Sequence, residues 1–109
     1  MNKILSLLGL AKRAGKVIVG TDAVISKLQG NDLHLILVAK DASIATIDKI
    51  EKKAFYYNVK IIKSFTSDEL SDAIGSNNNK VLGIADLGFS KAILKHHTVE
   101  VEGEQNYES

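Results

Sequence analysis

The sequence predicts an α/β fold, a three-layer α-β-α sandwich with a four-stranded mixed sheet. Three observations predict it. Stretches with apolar residues at helical spacing alternate along the chain with short β-branched runs. The connections between them are only a few residues long. One run, Leu33 to Ala39, is apolar almost without interruption, as a strand covered on both faces would be.

Ile4, Leu7, Leu8, Ala11 and Ala14 recur at helical spacing, and Gly15 stands where that first helix should stop. Val17-Ile18-Val19 reads as a first strand ending at Gly20, after which Thr21 can cap a helix that carries Val24 and Leu28 inward and ends at Gly30. The second strand is Leu33 to Ala39. Ser43 then opens a long helix with Ile47, Ile50, Ala54 and Tyr57 on one side. Val59-Lys60-Ile61-Ile62 is a third strand, and Thr66-Ser67-Asp68-Glu69 reads as a capping box ahead of Leu70, Ala73 and Ile74, closed by Gly75. A polar loop, Ser76-Asn77-Asn78-Asn79, leads to a fourth strand from Val81 to Ala85. Phe89, Ala92 and Ile93 share one face of a last helix.

With 109 residues, 45% of them hydrophobic and 25% charged, the chain has the make-up of one globular domain over residues 1 to 97. All 14 Lys and Arg precede His97, whereas four of the 13 acids (Glu100, Glu102, Glu104, Glu108) follow it. A basic body and an acidic, flexible tail over 98 to 109 are therefore expected, and a basic body suits a polyanionic partner. The absence of cysteine excludes disulfides and thiolate zinc sites. No segment approaches the roughly 20 apolar residues of a membrane span, and the apolar N-terminus runs straight into Lys12, Arg13 and Lys16 without a cleavage site. A cytoplasmic monomer without membrane contact is the expectation.

Ligands of such folds gather where strands end and helices begin, which selects Gly20-Thr21-Asp22, Lys40-Asp41-Ala42 and Ala85-Asp86-Leu87-Gly88-Phe89. Gly20 allows close backbone approach, and Thr21 with the first-turn amides can hold a phosphate oxygen while Lys16 and Lys27 add charge. Asp41 and Asp86 both follow strands, where aspartates commonly form turns, and no histidine or serine completes a catalytic set. No nucleotide-binding glycine motif is present, and His34, His96 and His97 lack the spacing of a metal site. No cofactor, no metal and no enzymatic activity are expected. Lys49, Lys52 and Lys53 are interrupted by Asp48 and Glu51 and read as a solvated face, with Tyr57 packed inward and Tyr56 emerging.

Leu8-Gly9-Leu10-Ala11-Lys12-Arg13-Ala14-Gly15-Lys16, then Val19-Gly20-Thr21-Asp22-Ala23-Val24, Val38-Ala39-Lys40-Asp41-Ala42-Ser43 and Asp86-Leu87-Gly88-Phe89 follow one another in an order that resembles the small bacterial branch of the ribosomal protein superfamily named for L7Ae. The likeness spans the chain to about His97. It implies the three-layer fold and binding to kink-turns, RNA elements folded sharply by tandem G·A pairs and a bulge, with ribosomal RNA and the ribosome as expected partners. The resemblance implies that Gly20, Thr21, Asp22, Ala23 and Ser26 enter the groove at those pairs, with Lys16 and Lys27 beside them and Lys40 at the second strand's exit. It also implies that Ala85, Asp86, Leu87, Gly88 and Phe89 cover a flipped-out base. Strong kink-turn binders of the superfamily carry Asn, Glu and Lys where this chain has Asp22, Ala23 and Ser26, and a glutamate where it has Lys40. A protein-interaction module of the same fold is the alternative.

Overall fold

Asn2 starts the first helix: its backbone is extended and its side-chain oxygen accepts from the amide of Ile4 at 2.7 Å. The structure is a computed structural model that describes the backbone of residues 2–108 and the side chains of residues 2–97. Helix α1 spans Lys3–Arg13 and buries Ile4, Leu8 and Ala11. Strand β1 is Val17–Val19 and helix α2 is Thr21–Gln29. Strand β2 (Leu35–Val38) is buried throughout, as its continuous apolar run requires. Ser43 caps α3 (Ile44–Tyr57) by accepting from the Thr46 amide, and Asn58 ends it in the left-handed conformation. Strand β3 is Lys60–Ile62. The capping box of α4 (Ser67–Ile74) is present in both halves: Thr66 Oγ1 accepts from the Glu69 amide, and the Glu69 carboxylate accepts from the Thr66 amide. Strand β4 is Val81–Ile84, and α5 is Leu87–Glu108. The acidic tail expected over 98 to 109 lies outside the residues whose side chains are described.

One local expectation is corrected. Gly20, not Thr21, is the N-cap of α2, and no side chain caps this helix; Thr21 is already its first helical residue. The reason is the φ of +102° at Gly20, which swings the chain from strand to helix within a single residue.

The strands lie in the order β1-β4-β2-β3. β4 pairs antiparallel with β1 and β2, and β2 pairs parallel with β3, so the sheet is mixed. Helices α1, α4 and α5 pack together on one face, and α2 and α3 cover the other. Leu35, Ile36, Leu37, Leu82 and Ile84 are fully enclosed between these layers. Each such side chain contributes about 1.5–3 kcal/mol through removal from water. On the first face α1 and α4 approach so closely that a Cβ at Gly9 would stand 2.9 Å from the Ala73 carbonyl oxygen.

Candidate nucleic-acid interface

Antiparallel pairing decides which loops meet. Val19 lies opposite Leu82, so the exit of β1 adjoins the entry of β4, and the Gly20 amide donates to the Val81 carbonyl at 2.9 Å. The exit of β2 reaches the same end, where the Ala39 amide donates to the Lys80 carbonyl at 2.8 Å and the Lys40 amide to the Phe65 carbonyl at 2.8 Å. One end of the sheet therefore gathers the Gly20 turn, Lys40 and Asp41, the start of α4 and the loop that delivers Lys80.

Asp41 clasps this end. Its two carboxylate oxygens accept from the hydroxyl and the amide of Ser67, each at 2.7 Å. The Ser67 hydroxyl, then its amide, hold the exposed Asp41 carboxyl below the usual carboxylate value, with Lys80 adding a smaller attraction and slight desolvation opposing. Sequence reasoning expected Asp41 to form its own turn. It does lie in a turn, which the Ala42 amide closes on the Ala39 carbonyl, and its carboxylate also bridges to the start of α4.

Asp22, Ala23, Ser26 and Lys27 share the exposed face of α2, opposite the buried Val24 and Leu28, and Thr21 is half-buried beside the turn. Around Gly20 nothing lies within 4 Å of where a Cβ would project. With no capping side chain, the first-turn amides of α2 face outward as donors, and the helix dipole favours an anion there. Lys40 and Lys80 are exposed at the same end, and Ile44, at the start of α3, is 87% exposed.

The structure does not bring Lys16 or the Ala85–Phe89 loop to this site. The Ala85 amide donates to the Lys16 carbonyl at 2.9 Å, which places both at the opposite end of the sheet, the length of β4 or ~13 Å away. A single face built from the Gly20 turn and Ala85, Asp86, Leu87, Gly88 and Phe89 is therefore not formed, because β4 runs against β1. Asp86 caps α5 by accepting from the Phe89 amide at 2.8 Å, and Leu87 is half-exposed beyond it. Asp41 and Asp86 face opposite ends and each already accepts hydrogen bonds, so they form no acid pair. Among the described residues no cluster of three His, Asp or Glu side chains could hold a metal.

The loop at 75–80 takes the position that sequence reasoning had given to Ala85–Phe89. Nothing in its composition marks it beyond the run of asparagines; only the strand pairing places it. Asn79 is buried, its backbone N–H donating to Ser71 Oγ at 3.0 Å, which holds the loop down so that Lys80 emerges beside Gly20.

Known proteins resemble this chain along most of its length. An RNA-binding protein YlxQ from Enterococcus faecium is 39% identical over 89 residues, 82% of this chain and 85% of that protein. An RNA-binding protein YlxQ from Bacillus subtilis (strain 168) is 36% identical over 88 residues, 81% and 88% of the two chains. Among solved structures, a protein with unknown function from Bacillus halodurans C superposes with a TM-score of 0.86 at 32% identity, covering 88% of this chain and 97% of that one. The Giardia lamblia 15.5kD RNA binding protein shares the fold, with a TM-score of 0.77 at 15% identity and coverage of 90% and 85%. Residues 2–94 match the model of the ribosomal protein L7Ae/L30e/S12e/Gadd45 family, and the chain belongs to that family.

Proposed function

We propose that this chain is a non-catalytic RNA-binding protein that grips a sharply bent RNA of the kink-turn type at the Gly20 end of its sheet, as a cytoplasmic monomer associated with ribosomal RNA. The observation that carries the reading is the open cradle at Gly20: a helix N-terminus without a side-chain cap, no obstruction where a Cβ would stand, and Lys80 and then Lys40 on the adjoining strand ends. A duplex in regular A form hides its base edges in a deep groove, whereas a kinked element opens them. The outer face of α2, with the small residues Ala23 and Ser26, lets a helix enter such a groove, and the lysines fix its register through phosphates. Family membership and the names of the curated relatives support RNA as the ligand class.

Titration against a kink-turn RNA and a straight duplex of matched length tests the reading. Preferential binding of the kinked RNA, weakened at least tenfold by Ser26→Glu, is the expected result. Equal affinity for both RNAs sinks the kink-turn assignment, and an affinity independent of salt sinks RNA binding altogether, because phosphate contacts release counterions.

A further inference from the structure

The last turn of α3 carries a patch that the Gly20 site does not use. Phe55 is 90% exposed and Tyr56 78% exposed, the most exposed aromatic side chains among the described residues. Burial of aromatic rings ordinarily contributes strongly to stability, so two of them exposed on one helical turn require a reason. The Tyr56 ring stands edge-to-face with Tyr57, centroids 4.9 Å apart at 80°, which steadies it. Tyr56, Tyr57, Lys52 and Lys53 line a shallow groove of about 420 Å³. Lys52 and Lys53 are four and three residues before Tyr56, so helical spacing sets two ammonium groups over the preceding turn on its side. Lys49 and Lys60 are exposed on the neighbouring turn and on the following edge strand. Two acids share this surface: Asp48 pairs with Lys52 at 3.0 Å and Glu51 with Lys63 at 3.1 Å. These pairs are solvent-exposed and hold the lysines only weakly.

Exposed rings flanked by cations are the arrangement that binds unpaired nucleic acid, since any base offers a π-face to stack and each phosphate a charge to neutralise. We propose that Phe55, Tyr56, Lys52 and Lys53 form a second nucleic-acid contact, a stacking platform for a single RNA strand. An acidic partner would leave the rings without a role, and an apolar one would bury the lysines. A polymer that alternates flat rings with anions satisfies both. The platform residues lie between Lys52 and Tyr56 on α3, so at about 1.5 Å per residue they stand ~14–20 Å along its axis from Ser43 at the Gly20 end. An unpaired extension of an RNA held at Gly20 can cross that span in a few nucleotides. The ligand class rests on the RNA-binding reading; the position does not.

The test separates the two. The full chain is titrated by fluorescence anisotropy with a labelled oligoadenylate about ten nucleotides long, which covers one stacking site and cannot form a kink. The wild type and Ser26→Glu are expected to bind it alike, and the double variant Phe55→Ser/Tyr56→Ser to bind at least tenfold more weakly. Lys53→Gln should flatten the salt dependence while keeping the ring contact. Both rings are solvent-exposed, so the double variant keeps the fold, checked by circular dichroism. Absence of oligoadenylate binding by the wild type, or undiminished binding by the double variant, overturns the platform even if the kinked RNA still binds. Concentration-dependent dimerisation abolished by Phe55→Ser, with no oligonucleotide binding, overturns it in favour of a protein contact. Loss of kinked-RNA binding with the oligoadenylate result intact leaves the platform standing and removes the Gly20 site instead.

Discussion

The amide of Gly20 donates to the carbonyl of Val81, and this one bond joins two loops that are about sixty residues apart in sequence. It makes Lys80, rather than Lys16, the cation beside the open turn of α2. Lys80→Ala is accordingly expected to lower the slope of log affinity against log salt for a kinked RNA by about one unit. Lys16→Ala, at the far end of the sheet, should change the slope much less. The reverse ranking would move the binding face to the Ala85 end.

Gly20→Glu is expected to weaken RNA binding by bulk and charge, but the φ of +102° strains any side chain placed there. Ser26→Glu puts the same anion on the same exposed helix face without backbone strain. The two variants should lose affinity together, and only Gly20→Glu should also melt earlier. A binding loss confined to Gly20→Glu would mean that the turn matters for folding alone.

The Asp41 clasp predicts an acid-dependent term in stability. Its folded carboxyl titrates below the ordinary value of about 3.9, so its contribution is present above that pH and is lost as pH falls through the lower folded value. Asp41→Asn should therefore melt earlier than the wild type near neutrality, and the gap should close in strong acid. A gap that is constant with pH would show that the carboxylate charge plays no part.

Gly9→Ala sets two effects against each other. Alanine raises helix propensity by about 1 kcal/mol, but here the added Cβ meets backbone, the Ala73 carbonyl oxygen at 2.9 Å, which cannot swing aside. Overpacking of this kind costs about 1–3 kcal/mol, so the variant should come out neutral to about 2 kcal/mol less stable in chemical denaturation. A stabilised variant would show that α1 and α4 separate easily.

Removal of residues 99 to 109 is expected to leave the melting temperature nearly unchanged, because the four glutamates there lie beyond the basic body and the segment carries no apolar periodicity. Binding of RNA should tighten slightly at low salt, where the lost negative charge is least screened. A much lower melting temperature would mean that the segment packs against the body.

Local features were legible in the sequence because their causes are local. The caps at Ser43 and Thr66 depend on residues within one turn, and the buried strand announces itself by an unbroken apolar run. The helical stripe also placed Tyr57 against the core and Tyr56 outside it. The sheet order was not legible, since side-chain alternation states which face a residue takes and not which strand lies beside it. That gap set Lys16 and the Ala85–Phe89 loop on one face with Gly20, from which the strand pairing separates them, and hid Lys80. Phe55 escaped for another reason: aromatic residues are counted inward by default, and only the packed structure shows one standing in water.

The position of β4 also governs how the chain can be made. It is the last strand to leave the synthesising machinery yet occupies the middle of the sheet, bonded to β1 on one side and β2 on the other. Until Ile84 has emerged, β1 has no neighbour at all and β2 has only β3, so a nascent chain presents unpaired apolar edges for most of its elongation. Folding must then wait for nearly the whole body and close in one late step. Fragments that stop before Val81 should aggregate rather than form a partial domain.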